Sequence, residues 1–190
     1  MKPILFAAAL AAVSTGAIAE PQKYVLDASH SQVMFSYNHL GFSTTYSMFS
    51  GFDGVIQFDQ EDPANSSVAV SIPVRSMLTG WDARFQHFMS DDFFGADDQE
   101  VVTFTSTSIE VIGEKTANIT GDLTLNGVTK SVVLDTVLNQ VAMHPMENKP
   151  WVGFSATTML IRSEYGLGAF APFVGDEVAL NISIEAMKAD

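Results

Sequence analysis

Alternation with a two-residue period runs through almost the whole chain, and no other feature limits its fold so strongly. Val33, Phe35, Tyr37 and His39 share one face of a first stretch, and Phe52, Gly54, Ile56 and Phe58 share a face of the next. Val68, Val70, Ile72 and Val74 follow. Val102, Phe104, Ser106 and Ser108 lie on one face of a long run to Val111, then Ala117, Ile119, Gly121, Leu123 and Leu125 on another. Val132, Leu134, Thr136 and Leu138, then Val152 through Leu160, then Val178 through Ile184 repeat the pattern. Residues two apart point to the same side of a strand, so each stretch reads as a strand with one apolar face. Asp62-Pro63, Gly113-Glu114 and Asn126-Gly127 separate them, the last being a strong hairpin signal.

Strands joined mostly by hairpins suit a sandwich or an up-and-down barrel. Their length, about ten residues against the usual five or six, favours the barrel. The expected fold is all-β, an eight-stranded antiparallel barrel. A barrel of that size either fills with its own side chains or holds one small ligand, and the alternation fits both.

One stretch departs from the pattern. In Trp81–Gly95 (WDARFQHFMSDDFFG) the aromatic residues Trp81, Phe85 and Phe88 fall at i, i+4 and i+7, on one face of a helix. Thr79 with Asp82 three residues on resembles a capping box, and Ser90-Asp91-Asp92 with Gly95 marks the stop. A short aromatic-faced helix in an all-β chain either plugs one end of the core or forms a lid over an apolar cavity.

Residues 1–19 read as a cleavable secretory signal: Lys2, the apolar run Ile4–Val13, and the small-residue site Ala17-Ile18-Ala19. The run is shorter than the ~20 residues that span a bilayer, so the expected domain is 20–190, exported to the periplasm without stable membrane insertion. Without Lys2 that domain keeps 8 of the chain's 9 Lys and Arg against 22 Asp and Glu, a net charge of −14. Such a surface repels nucleic acid and anionic lipid headgroups. The chain has no cysteine, which removes disulfides, thiol chemistry and cysteine metal sites.

The histidines (His30, His39, His87 and His144) form no His-x-x-x-His pair and sit in no carboxylate-rich metal signature, so no metal is expected. Gly153-Phe154-Ser155-Ala156-Thr157 lacks the last glycine of a nucleophile elbow. Ser29 and His30 are neighbours on a strand, which point to opposite faces. Catalysis therefore finds no support, and a histidine acid or base acting on an apolar substrate is the alternative. A filled barrel that only mediates protein contacts is the third reading. The unusual feature is an aromatic surplus at connections: Phe42, Phe49, Phe85, Phe88, Phe93, Phe94, Phe170 and Phe173. These either pack beneath loops or line a ligand channel.

Several blocks resemble the YceI-like family over about Tyr24 to Ala186. They are Asp27-Ala28-Ser29-His30-Ser31 with Phe35 and His39-Leu40-Gly41, then Gly51-Phe52-Asp53-Gly54 with Phe58-Asp59. Ser76 to Gly80 with Arg84, His87 and Asp92-Phe93-Phe94 follows, then Gly121-Asp122-Leu123-Thr124 with Gly127-Val128-Thr129-Lys130. Gly153-Phe154-Ser155-Ala156 and Arg162-Ser163-Glu164-Tyr165-Gly166-Leu167 complete the order. Phe85 after Arg84, and Glu100 at the next strand's entry, differ from the family's usual aspartate and proline. The resemblance implies a lipocalin-like barrel whose pore holds a long apolar chain: a polyisoprenoid, a quinone tail or a fatty-acid derivative. That ligand replaces any cofactor, and a homodimer is left open. Expected ligand contacts are His30, Phe35, His39, Phe49, Trp81, Arg84, Phe85, His87, Phe88, Phe93, Phe94, Phe154 and Tyr165.

Overall fold

A computed structural model describes residues 20–190; the expected signal segment, 1–19, lies outside the described residues. The strands are β1 (Gln22–Leu26), β2 (Gln32–His39), β3 (Ser43–Phe49), β4 (Asp53–Phe58), β5 (Ser67–Pro73), β6 (Val101–Gly113), β7 (Thr116–Leu125), β8 (Val128–Met143), β9 (Pro150–Ile161) and β10 (Glu177–Lys188). One α-helix, α1 (Asp82–Phe88), lies between β5 and β6.

All strand pairs are antiparallel, and the sheet closes because β10 pairs with β9 on one edge and with β1 and β2 in turn on the other. β1 and β2 are two halves of one barrel position, broken at Asp27–Ser31. β3 and β4 form the next position, pairing with β2 and β1 respectively. Ten strands therefore make an eight-position barrel, as the alternation predicts. β9, 12 residues long, spans roughly 30 Å of the axis at about 3.3 Å per residue and a tilt near 40°.

β3 carries no apolar alternation because its inward residues include Ser43, Thr45 and the buried Ser47. The break before β2 is built by Asp27, whose Oδ1 accepts the Ser29 backbone N–H at 3.0 Å and the Ser29 hydroxyl at 2.7 Å. Asn126-Gly127 turns β7 into β8 with both residues at positive φ, as a hairpin of this type requires.

The phase of β6 differs from the sequence reading. A bulge between Ser106 and Ser108 inserts one residue, so Ile109 and Val111 face inward in place of Ser108. Beneath it Gly121 of β7 sits under the Phe104 ring: a Cβ there would lie 2.4 Å from Cζ.

The helix is shorter than expected, and its cap differs. Trp81 is the N-cap in extended conformation with no side-chain cap bond, while the Thr79 hydroxyl donates to the Trp81 carbonyl at 2.8 Å. The strap around α1 is fastened at both ends: Leu78 exchanges two backbone hydrogen bonds with Met48 of β3 (3.0 and 2.7 Å), and Val74 N–H donates to the Glu100 carbonyl.

Candidate functional site

The inward faces of the strands enclose a cavity of about 1160 Å³. That exceeds the ~300–1,000 Å³ of ordinary small-molecule pockets. Val33, Phe35, Ile56, Val70, Phe104, Leu123, Leu134, Phe154, Leu160, Leu180 and Ile182 line it along the barrel. Thr136 and Thr158 are the main polar breaks in its middle. At about 30 Å³ per heavy atom, the space takes on the order of 30–40 non-hydrogen atoms.

The strap covers the end of the barrel reached by the β2–β3 turn, the β7–β8 turn and the 162–176 loop. The α1 face turned to the cavity is Trp81, Arg84, His87 and Phe88, rotated from the expected Trp81, Phe85, Phe88 face. Phe88 meets Phe35 and Tyr37 edge-on (6.3 Å each) and Phe93 at 5.4 Å; Phe49 meets Phe35 at 5.4 Å and Phe94 at 6.5 Å. His87 stands against Phe93 and Phe170, with Asp92 at 3.4 Å. Arg84 donates to the Thr79 carbonyl at 2.9 Å, and His39, Ser43 and Thr45 add polar groups to the rim. Leu40, Trp81, Phe170 and Phe173 line this mouth and stand 48–75% exposed, an apolar ring around a polar-edged opening.

Ten of the thirteen expected contacts line the cavity: Phe35, His39, Phe49, Trp81, Arg84, His87, Phe88, Phe93, Phe94 and Phe154. His30, Phe85 and Tyr165 do not. Strand alternation puts Leu26 inward and Asp27 outward, so the turn carrying His30 lies on the outer wall. Phe85 points back toward Arg75, whose guanidinium lies 5.6 Å over its ring. Tyr165 is 2% exposed and packs in the core with Phe104, Leu123, Leu160 and Leu167.

Arg162 is a structural cation. Its Nε donates to the Gly175 carbonyl (2.8 Å), Nη1 to Ala169 (3.0 Å) and Leu167, and Nη2 to Val174 (2.9 Å), so one buried guanidinium ties down the loop at the mouth. Burial pulls its pKa down, opposed by the charge of Asp176. Asp176 is itself held low by the Ser163 hydroxyl at 2.6 Å.

On the outer wall, His30 Nδ1 lies 2.6 Å from Asp27 Oδ2. That hydrogen bond, then the Asp27 charge, raises the imidazole above its usual value. Burial raises Asp27, but its bonds from Ser29 and His30 outweigh this and leave it lowered. Glu185 brings a third donor, and the three ligand atoms lie within 4.8 Å of one another. The sequence spacing hides this cluster because Glu185 reaches it across the β1–β10 junction. Asp27 and His30 are ion-paired, and the Ser29 hydroxyl lies 3.0 Å from His30 Nδ1, so Ser29 and His30 meet in a turn and do not point to opposite faces of a strand as the sequence reading expects.

Sequence reasoning missed the polar β3 face, the mouth residues Leu40, Ser43, Thr45 and Val174, and the inward residues Ile109 and Val111. The β6 pair could have been found by testing the alternation for a one-residue slip.

A model of the YceI-like domain matches residues 24–186. A UPF0312 protein of Ectopseudomonas mendocina is 36% identical over 195 residues, covering 99% of each chain. The crystal structure of the Campylobacter jejuni YceI protein superposes with a TM-score of 0.72 at 31% identity, over 80% of this chain and 90% of that one. A polyisoprenoid binding domain from Saccharophagus degradans shares the fold at a TM-score of 0.68 and 16% identity, over 87% of this chain and 98% of that one. The match over nearly all the described residues, together with the closed barrel and its strap, places this chain in the YceI-like family.

Proposed function

We propose that this protein is an exported carrier that encloses one long apolar chain, a polyisoprenoid, an isoprenoid quinone tail or a fatty-acid derivative, inside its barrel. The apolar cavity running through the barrel carries this reading. A packed barrel would fill that volume with its own side chains, since interiors are close-packed and large voids are costly. At about 0.8 kcal/mol per buried methylene, ten buried carbons supply on the order of 8 kcal/mol before ordering costs, enough for micromolar binding without a charged anchor. The aromatic and polar groups of the covered mouth (Trp81, Arg84, His87, His39) suit a compact head group. The net charge of −14 keeps the loaded protein off anionic surfaces.

Protein purified from its own host without detergent, extracted with organic solvent, should release one dominant long-chain species in about equimolar amount. Native mass spectrometry should show the same added mass. An empty barrel that also fails to take up a fluorescent isoprenoid analogue refutes the carrier and favours an interaction module. For export, N-terminal sequencing of periplasmic protein should start at Glu20; recovery with Met1 from the cytoplasm refutes it.

A further inference from the structure

We propose that the cavity has a second mouth at the opposite end of the barrel, between the Asp59–Ser66 turn and the β6–β7 hairpin, and that the far end of a long bound chain leaves through it. The proposal rests on the carrier reading above and adds a direction and a length rule to it.

The opening follows from unequal strands. β5 pairs with β6 only as far as Thr105, and the Ser106 hydroxyl then accepts the Val68 N–H at 2.9 Å. From there to Gly113 the β5-side edge of β6 has no strand partner among the described residues. Two irregularities, at Ser106/Ser108 and at Val111/Gly113, interrupt the register of this free length with β7. β7 follows it, so the β6–β7 hairpin forms a flap beyond the turn that ends β4, while β8 stays paired with β9 from Asp135 to Met143.

The inner face of the flap, Ile109, Val111, Ala117 and Ile119, is apolar and lines the same cavity as Leu138 of the neighbouring wall. Val111 faces inward and lines the cavity, yet it is 47% exposed. Ile109, Ala117, Ile119 and Leu138 face the same cavity and are only half-buried, so the greater exposure of Val111 marks the end of the wall that lies nearest the outside. Pro63, Ser66, Glu114 and Lys115 edge this gap and also line the cavity.

The two mouths differ in chemistry. The covered mouth holds His39, Arg84 and His87 within an aromatic ring, a setting for a head group. The lower rim holds Glu114 and Lys115, one charge of each sign, beside small polar residues, and offers nothing that grips a head. A chain that outgrows room for roughly 30–40 heavy atoms passes the flap without displacing the strap.

The chain's lack of cysteine allows single-site labelling. An environment-sensitive fluorophore is placed on Glu114→Cys, and in a second preparation on Gln86→Cys, on the exposed side of α1. Each is titrated with isoprenoid alcohols of about 15 and about 45 carbons, chosen to fall below and above the cavity's capacity. Both alcohols should bind, and only the longer should shift the Glu114→Cys emission. In unlabelled protein, Val111→Arg should weaken the longer alcohol at least tenfold and leave the shorter within twofold. The proposal is overturned if the longer alcohol binds while the label at 114 stays silent, or if Val111→Arg affects both lengths alike. Failure of both alcohols to bind the unmodified protein, seen as no added mass at either length, sinks the carrier reading and this proposal with it.

Discussion

Replacing Phe88 with alanine separates a lid from a plug. A fully packed phenylalanine costs about 3–5 kcal/mol when truncated. Phe88 is half-buried: one side of its ring packs against Phe35, Tyr37 and Phe93, and the other faces the cavity. An aromatic side chain buries about 150–250 Å², so roughly half, near 100 Å², is lost from packing at ~25 cal/mol per Å². The expected destabilisation is about 2–2.5 kcal/mol, read from urea unfolding of delipidated protein with the slope unchanged. The ring also supplies contact area for a ligand under the strap, so affinity for a fluorescent isoprenoid analogue should fall more than about tenfold, or 1.4 kcal/mol. Trp81→Ala is the companion variant. Trp81 is 64% exposed at the mouth, so its loss should leave stability within about 0.5 kcal/mol and still weaken binding. A stability loss of about 3–5 kcal/mol for Phe88→Ala with unchanged affinity would make the helix a core plug.

Three further outcomes follow from the geometry. Arg162→Met strips donors from the carbonyls of Leu167, Ala169, Val174 and Gly175 and should cost about 3 kcal/mol or more; faster chymotrypsin cleavage at Phe170 and Phe173 checks that the loop loosens, and an unchanged cleavage rate counts against the role. Gly121→Ala forces the Phe104 ring aside and should cost about 1–3 kcal/mol by thermal unfolding, while a neutral result shows that the ring has room to move. The Asp27–His30 pair should stabilise the fold in a pH window: the raised histidine contributes below about 6.5 and loses its contribution as pH rises through its folded value, and the lowered aspartate contributes above about 3.8 and loses it as pH falls through its own. The difference in unfolding midpoint between the wild type and His30→Ala should therefore peak near pH 5–6 and shrink on both sides; a pH-independent difference refutes the ion pair.

The barrel was legible because burial on one face imposes a period of two, and Val33–His39, Val152–Leu160 and Val178–Ile184 keep that period without interruption. Phe35, His39 and Phe154 were legible as cavity wall for the same reason, while Trp81, Arg84, His87, Phe88, Phe93 and Phe94 were legible from the aromatic stretch that breaks the period and from the family resemblance. β3 was not legible, since Ser43, Thr45 and Ser47 point inward where the rim is polar and the hydrophobic signal vanishes. The Phe85 side of α1 was misjudged because a single short helix with aromatic residues at 81, 85 and 88 fits two rotations. Arg75 and the barrel edge choose between them, and both are distant in sequence.

The amino-acid sequence by itself determined the inward faces of the strands other than β3 and the far half of β6, the Asn126-Gly127 turn and the position of the helix, since each depends on residues within a few places of one another. Tertiary structure alone decided that Asp27, His30 and Glu185 meet, that Arg162 closes on a loop as far on as Gly175, and that a bulge at Ser106 turns Ile109 and Val111 inward. It also decided that the interior is hollow. Whether inward side chains meet across the axis depends on barrel radius and strand stagger, which the closure of β10 onto β1 and β2 sets and which no local pattern encodes.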